Sequence, residues 1–182
     1  HENVHSHQHG GSFIMCNGEM AKLVVETGKD PTGLGRWTWL KFIGKENHTT
    51  RIITAYIPHA GDRTKFRTVY SQQARYWESK RNTRCPREIL YNDLTDLLLR
   101  WRSNGDRILL LIDANEDIRD GVLARRLATE DLAMHDTIHS RHPSLPTTPT
   151  HREGRIPIDG IFATPDLPIA RGALLAFDKY LG

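Results

Sequence analysis

Long apolar runs, cysteine-rich stretches and biased tracts are all missing from this chain of 182 residues. The longest uninterrupted aliphatic run covers only residues 108–112. A helix that spans a bilayer needs ~20 apolar residues, so the sequence excludes one. Without a repeat or a low-complexity tract, and with 38% hydrophobic and 26% charged residues, the composition also excludes collagen and coiled coil. A globular chain of this length buries roughly 70% of its unfolded surface and needs no disulfide or metal to fold.

Cysteine is scarce: Cys16 and Cys85 are the two in the chain. Two thiols cannot build a disulfide framework and are typical of an intracellular protein with reduced cysteines; one bridge between them is the alternative. The first residue is not methionine and no leader pattern follows it, so we expect a fragment or a processed product.

The chain is mildly basic, with a net charge of +3 and a pI near 9.0. Basic residues concentrate between positions 63 and 87, and the pattern predicts either a solvated face or a phosphate-binding surface. The candidates for phosphate contacts are Lys65, Arg67, Arg75, Arg81 and Arg84.

The hydrophobic periodicity alternates between that of strands and that of helices, which predicts a mixed α/β fold. Residues 36–43 and 50–57 form an antiparallel hairpin in this prediction, and the continuous apolar segment 107–113 is a strand covered on both faces. Further strands are predicted over 12–16, 156–164 and 172–177, and helical segments over 19–26, 70–80, 87–102 and 122–132.

Polar side chains follow the apolar strand that ends at Asp113. Asn115 comes two residues later. Rigid strand ends often aim functional groups into a crevice. A carboxylate accepts protons or binds a hard cation, and a carboxamide orients an oxygen. The structural alternative is that Asp113 starts a turn that Asn115 caps.

Two more strands carry such groups. Asp159 lies within an apolar segment, where a buried carboxylate would need a partner; otherwise it lies on an edge strand and faces water. Tyr56 and His59 flank the end of the second hairpin strand, where packing is the alternative role for the tyrosine.

In order and spacing, the segments 54–58 (TAYIP), 112–115 (IDAN) and 158–162 (IDGIF) resemble the endonuclease/exonuclease/phosphatase superfamily. That group includes apurinic endonucleases, pancreatic-deoxyribonuclease-like enzymes and retrotransposon endonucleases. The resemblance implies a four-layered α/β sandwich, with two mixed β-sheets face to face and helices outside, here incomplete at both termini. We expect residues 1–10 to be a disordered tail or fragment end, and residues 11–182 to be a partial domain.

The resemblance also implies roles for the candidate residues. Tyr56 would contact the scissile phosphate, Asp113 would activate the attacking water and Asn115 would position water or phosphate. Asp159 would orient a catalytic histidine. A divalent cation, Mg²⁺ or Mn²⁺, would neutralise the developing charge. Asp113 is the nearest candidate ligand for that cation.

The chain departs from the family at several points. Ile112 precedes Asp113 where the family has glycine, and His59 stands where many members have asparagine. His59 is therefore either a substitute donor to the substrate or a surface residue. The family's strands that carry an asparagine and a metal-binding glutamate are not found, nor is its terminal Asp-His pair. We therefore expect the 182 residues alone to be nearly inactive.

Two weaker patterns remain. His5, His7 and His9 alternate, as metal ligands on one strand face do, but a disordered terminus gives the same pattern. The Gly-x-Gly within residues 31–36 predicts a plain turn rather than a phosphate cradle.

The leading hypothesis is a metal-dependent phosphodiester hydrolase, a DNA endonuclease or exonuclease domain with a mobile element as candidate source. The first alternative is a catalytically incomplete nucleic-acid-binding remnant of the same fold, and the second is a phosphatase of the same superfamily. The expected partner is nucleic acid and not a membrane. We expect the protein to be intracellular, with the nucleus as a candidate location.

Overall fold

The fold rests on one mixed sheet of six strands, seen in a computed structural model that describes residues 10–61, 68–144, 148–151 and 153–173. In chain order the strands are β1 (Val24–Lys29), β2 (Trp37–Ile43), β3 (Thr49–Tyr56), β4 (Arg107–Asp113), β5 (His135–Asp136) and β6 (Asp159–Ala163). The helices are α1 (Gly18–Ala21), α2 (Val69–Ser79), α3 (Pro86–Ser103) and α4 (Val122–Leu127). A mixed α/β class is thereby confirmed, and the described residues hold one of the two sheets that the resemblance implies.

The order across the sheet is β1-β2-β3-β4-β6-β5. Strands β1, β2 and β3 pair antiparallel, which confirms the predicted hairpin. Strands β3 and β4 pair parallel. Parallel neighbours need a long crossover connection, and here α2 and α3 lie between the two strands in the chain. Strand β6 then pairs antiparallel with both β4 and β5.

Helix α3 packs over the centre of the sheet. Its apolar stripe, with Leu90, Leu94 and Leu98 fully buried, recurs at the spacing of one helix face. Pro86 occupies the first turn, where its missing N–H has no intrahelical acceptor to lose. The stripe joins one core cluster with the buried face of β3 and β4, which includes Ile53 and Leu110.

The two faces of β4 differ. Its alternate residues Ile108, Leu110 and Ile112 are buried, whereas Leu109 and Leu111 between them are half-buried. The prediction of a strand covered on both faces is therefore wrong for the part of the chain that is described. A continuous apolar run shows that both faces are apolar, but not that both are covered.

The amino-terminal part corrects two further predictions. Where residues 19–26 were expected to be helical, α1 is one turn and β1 follows, because the β-branched Val24 pairs with Phe42 on β2. Residues 12–16 form no strand, although Ser12 Oγ lies 3.5 Å from the carbonyl oxygen of Arg36.

Later elements are mostly shorter than predicted. Helix α4 ends at Leu127 because the chain turns there, and Leu132 and Met134 then enter the core. Strand β6 covers only the last part of the predicted 156–164 segment. Most of the predicted strand 172–177, and also His5, His7 and His9, lie outside the described residues.

Cys16 and Cys85 are both free thiols, so the structure does not contain the alternative bridge between them. Among the described helices, none combines the length and the apolar character that a bilayer crossing demands.

Candidate active site

Three predicted site residues lie side by side at one edge of the sheet. Tyr56 ends β3, Asp113 ends β4 and Asp159 begins β6. In the ladder Tyr56 is paired with Asp113, and Asp113 with Asp159. Neighbouring strands lie about 4.8 Å apart, and residues opposite each other share one face of the sheet. The three side chains therefore form a row, which we call the acidic row, on the face opposite α3.

A tight turn fixes Asn115 beside this row. The Asn115 backbone N–H donates to Asp113 Oδ1 at 3.2 Å, and Asn115 adopts a left-handed φ of 46°. Asparagine tolerates this conformation better than most residues. Its side-chain Nδ2 donates to the carbonyl oxygen of Ile57 at 2.9 Å. The turn that the structural alternative predicted is thus present, and it also ties the ends of β3 and β4 together.

The electrostatics of the row act against negative charge on Asp113. Burial raises the pKa of this carboxyl and the neighbouring charge of Asp159 raises it further, while the Asn115 N–H and the charge of His151 oppose the shift. Burial also raises the pKa of Tyr56, and the charge of Asp113 adds to the rise. Tyr56 is therefore a protonated phenol at neutral pH, able to donate a hydrogen bond.

Asp159 is exposed and faces water, as the alternative predicted, but β6 is not an edge strand of the described sheet, because it pairs with both β4 and β5. Its backbone N–H donates to Thr150 Oγ1 at 3.0 Å, and the N–H of Ile158 donates to the same oxygen at 2.9 Å. This hydroxyl holds the first residue of β6 against the preceding loop.

A buried polar cluster supports the row from beneath, and the sequence analysis missed it. Arg87, on the first turn of α3, is the last residue of the basic stretch, yet it is buried. Its guanidinium donates to Pro58 O at 2.7 Å, to Glu116 Oε2 at 3.0 Å and to Tyr91 Oη at 2.6 Å. We call Arg87, Tyr91 and Glu116 the buried triad.

The remaining bonds of the buried triad complete its polar pairing. Tyr91 donates to Glu116 Oε2 at 2.7 Å, and Glu116 Oε1 accepts the Leu123 N–H at 2.7 Å. Arg87 thus bridges the segment that follows β3 and the turn that follows β4, next to the ladder pair of Tyr56 and Asp113. The signal that could have revealed it is its position three residues before Leu90, on the apolar face of α3.

A second buried ion pair supports Tyr56. The Tyr56 N–H donates to Arg36 O at 3.0 Å, and the Arg36 guanidinium is paired with Asp30 at 2.8 Å and with Asp93 at 2.7 Å. The loop between Asp30 and Arg36 is a turn, closed by a bond of 3.2 Å from Gly33 N to Asp30 O. The predicted turn is therefore present.

The predicted phosphate-binding residues are only partly described. Arg81 and Arg84 are exposed, Arg75 is half-buried, and Lys65 and Arg67 lie outside the described residues. His59 is exposed, with Nδ1 2.7 Å from the carbonyl oxygen of Ala60.

The described ranges contain no group of three or more histidine, cysteine or acidic side chains that could hold a metal ion. Two adjacent carboxylates, Asp113 and Asp159, are present. Mg²⁺ commonly takes one or two carboxylates and completes its shell with water and phosphate oxygens, so the donor chemistry fits a hard divalent cation.

Comparison with known proteins gives structural neighbours but no sequence relative. No family model and no curated protein matches the sequence. Seven chains of solved structures match the fold. One is the human Nocturnin catalytic domain with bound sulfate anion, with 14% identity and a TM-score of 0.46; the match covers 71% of this chain and 41% of that chain.

Another is an endonuclease/exonuclease/phosphatase from Bacteroides vulgatus, with 16% identity and a TM-score of 0.42. The match covers 78% of this chain and 54% of that chain, so the present chain spans about half the length of these two neighbours or less.

Proposed function

We propose that this chain carries part of the active site of a metal-dependent phosphodiester hydrolase that cleaves DNA. The observation that carries the proposal is the acidic row, in which three motifs far apart in the sequence meet at adjoining strand ends. The order of these motifs is the one that the superfamily resemblance implies.

Each side chain has chemistry that suits the reaction. An ionised carboxylate accepts a proton, so Asp113 suits the removal of a proton from an attacking water. Tyr56 offers a phenolic O–H to a phosphate oxygen. When bound, a divalent cation supplies compensation of the charge that develops on the phosphate, and Asp113 and Asp159 are the residues of this chain that would contact it.

DNA is the proposed substrate because the chain is basic and exposes Arg81 and Arg84. Phosphate contacts of this kind make affinity fall steeply with salt. Replacing Arg75, Arg81 and Arg84 with alanine should weaken binding to a short duplex and flatten its salt dependence. Unchanged binding would leave the solvated-face alternative in place.

The test of activity uses the protein encoded by the whole reading frame that contains these residues, beside the 182-residue chain itself. We expect the whole protein to nick plasmid DNA with Mg²⁺ and to stop when EDTA removes the metal. Asp113→Asn keeps the shape and removes the base, and loss of a general base lowers the rate about 10²–10⁴-fold. Asp96→Asn, on the exposed side of α3, is the matched control.

The outcomes separate the alternatives. Hydrolysis of p-nitrophenyl phosphate without cleavage of DNA or of bis(p-nitrophenyl) phosphate would indicate a phosphatase. Salt-dependent DNA binding without any hydrolysis would indicate the nucleic-acid-binding remnant. Full activity of Asp113→Asn would contradict the role of Asp113.

A further inference from the structure

The loop before β6 carries a histidine to the acidic row. Thr150 Oγ1 accepts the backbone N–H groups of Ile158 and Asp159, at 2.9 Å and 3.0 Å, which binds the loop to the start of β6. His151 is the next residue. Consecutive Cα atoms lie 3.8 Å apart, so this anchor keeps the backbone of His151 within about 10 Å of that of Asp159.

A turn after His151 orients its ring. His151 O accepts a hydrogen bond from the Gly154 N–H at 2.9 Å. His151 Nδ1 accepts one from the Glu153 N–H, with 3.4 Å between the two nitrogens. A side chain at position 154 would crowd this turn, because its Cβ would lie 3.3 Å from His151 Cβ. Since Nδ1 accepts, the neutral ring carries its proton on Nε2. His151 is exposed, so that N–H is accessible to a ligand.

The acidic row needs such a donor if it is to bind an anion. Within the described part of the chain, no salt bridge includes Asp113 or Asp159, so their charges are not neutralised by a paired lysine or arginine. A phosphodiester placed over them would meet two negative groups.

We propose that His151 is a substrate-binding residue, and that its Nε2–H donates to a non-bridging oxygen of a DNA phosphodiester held over Asp113 and Asp159. The proposal rests on the proposed function and names a contact within the same site. A role for His151 as a metal ligand is not favoured. Among the described residues, it belongs to no group of three or more histidine, cysteine or acidic side chains that could hold an ion.

The test is the affinity of the 182-residue chain for a fluorescent 16-base-pair DNA duplex, measured by anisotropy in EDTA at low salt. Two variants distinguish the roles of the two nitrogens of the His151 ring. In His151→Gln the amide nitrogen stands near the position of Nε2 and retains a donor there. In His151→Asn the side chain reaches only the position of Nδ1. We expect His151→Asn to weaken binding about tenfold, the scale of one hydrogen bond to a charged group, and His151→Gln to recover most of the loss.

The matched control is His48→Asn. His48 is also exposed, but it precedes the first residue of β3, whereas Tyr56 is the last, about 25 Å away along the strand. Its substitution should leave the affinity unchanged. Two-dimensional NMR of the histidine rings gives a second readout, in which the Nε2 signal of His151 should shift on addition of the duplex while that of His48 stays in place.

Each result decides the question. Wild-type affinity in His151→Asn, or an unmoved His151 signal in a complex that forms, would overturn this proposal alone. Rescue by asparagine and not by glutamine would assign His151 a structural role through Nδ1 and overturn it as well. A wild-type chain that does not bind the duplex at any salt concentration would overturn the DNA-directed function and this contact together.

Discussion

At the scale of single residues, Asp113 combines a proposed chemical role with a cost to folding. Burial and the charge of Asp159 raise its pKa in the folded chain above the ordinary value of 3.8. Between those two pKa values the folded state binds more protons than the unfolded state, so stability falls as pH rises through this window. At neutral pH the ionised carboxylate therefore destabilises the fold.

Asp113→Asn should raise the melting temperature at pH 7, because it removes a charge that the folded state disfavours. For a chain of this size, 1 kcal/mol corresponds to roughly 2–4 °C. The gain should shrink as the pH falls through the folded-state pKa and should vanish once the pH lies well below the unfolded-state value of 3.8, where the wild-type carboxyl is protonated in both states. Calorimetry of both proteins between about pH 3 and pH 7 measures this, and a loss of stability at pH 7 would contradict it.

The pKa of Asp30 is shifted in the opposite direction from that of Asp113. Burial would raise its pKa, but the hydrogen bonds and the positive charge of Arg36 outweigh burial and hold the pKa below 3.8. A lowered pKa contributes stability that is fully present above the unfolded-state value and is lost as the pH falls through the folded-state value. The Asp30–Arg36 pair is thus an acid-sensitive part of the fold.

Asp30→Asn should destabilise the chain by about 3–5 kcal/mol at pH 7, because it leaves a buried guanidinium with Asp93 as its remaining acid. The difference from the wild type should narrow below pH 4. Chemical denaturation at several pH values tests this. The control is Glu19→Gln, which breaks the exposed Glu19–Lys22 pair and should change stability by less than about 1 kcal/mol.

At the scale of elements, α3 joins the core to the site. Its apolar stripe packs on the sheet, while Arg87 at its first turn connects to both the Pro58 carbonyl and Glu116. The helix that stabilises the sheet therefore also cross-links the segments that follow Tyr56 and Asp113.

Arg87→Met should cost about 3–5 kcal/mol, because Glu116 stays buried without its cation. Adding Glu116→Gln should recover part of the loss, with a coupling of about 0.5–3 kcal/mol in a double-mutant cycle. Urea denaturation measures both the loss and the coupling, from the midpoints of unfolding curves that have equal m-values. Arg100→Met, on the exposed side of the same helix, is the control, and strictly additive losses would show that the pair does not act as a unit.

The pairing of β1 with β2 depends on a glycine. Gly28 lies opposite Trp39, and a Cβ at position 28 would come within 2.4 Å of Trp39 Cζ2. The indole has little room to move, because it packs edge-on against Trp101 with ring centroids 5.2 Å apart.

Gly28→Ala should therefore destabilise the chain by about 1–3 kcal/mol and change its near-ultraviolet circular dichroism, since Trp39 must shift. Gly44→Ala is the matched control, because the nearest atom to its new Cβ, the His48 carbonyl oxygen, lies at an ordinary 3.5 Å. Equal effects of the two substitutions would contradict the steric explanation.

At the scale of the whole molecule, the sequence predicted those elements in which the hydrophobic pattern continues over many residues. The segment 107–113 is a strand with the predicted bounds, and the helix predicted over 87–102 differs from α3 by one residue at each end. The three motifs at strand ends also meet, since the order of strands in the sheet brings their ends together. Their catalytic roles stay predictions.

What the sequence could not predict depends on contacts between distant residues. The segment 19–26, which was predicted to be helical, includes the first three residues of β1, whose conformation follows from pairing with β2. Arg87 looks like one more member of a basic surface until α3 turns it inward to Glu116, 29 positions away in the chain. His151 has no distinguishing neighbours in sequence, and its place near the site follows from the hydrogen bonds of Thr150 to the start of β6.

The non-local pairing of β3, β4 and β6 also bears on the kinetics of folding. The hairpin of β2 and β3 closes over a short turn, but the segment with α2 and α3 separates β3 from β4 in the chain, and another long stretch separates β4 from β6. Contacts of long sequence separation form slowly because loop closure comes before their stabilisation. Amides around Tyr56 and Asp113 should therefore gain protection late in pulsed hydrogen exchange, so that the acidic row assembles only in molecules whose sheet is already in register.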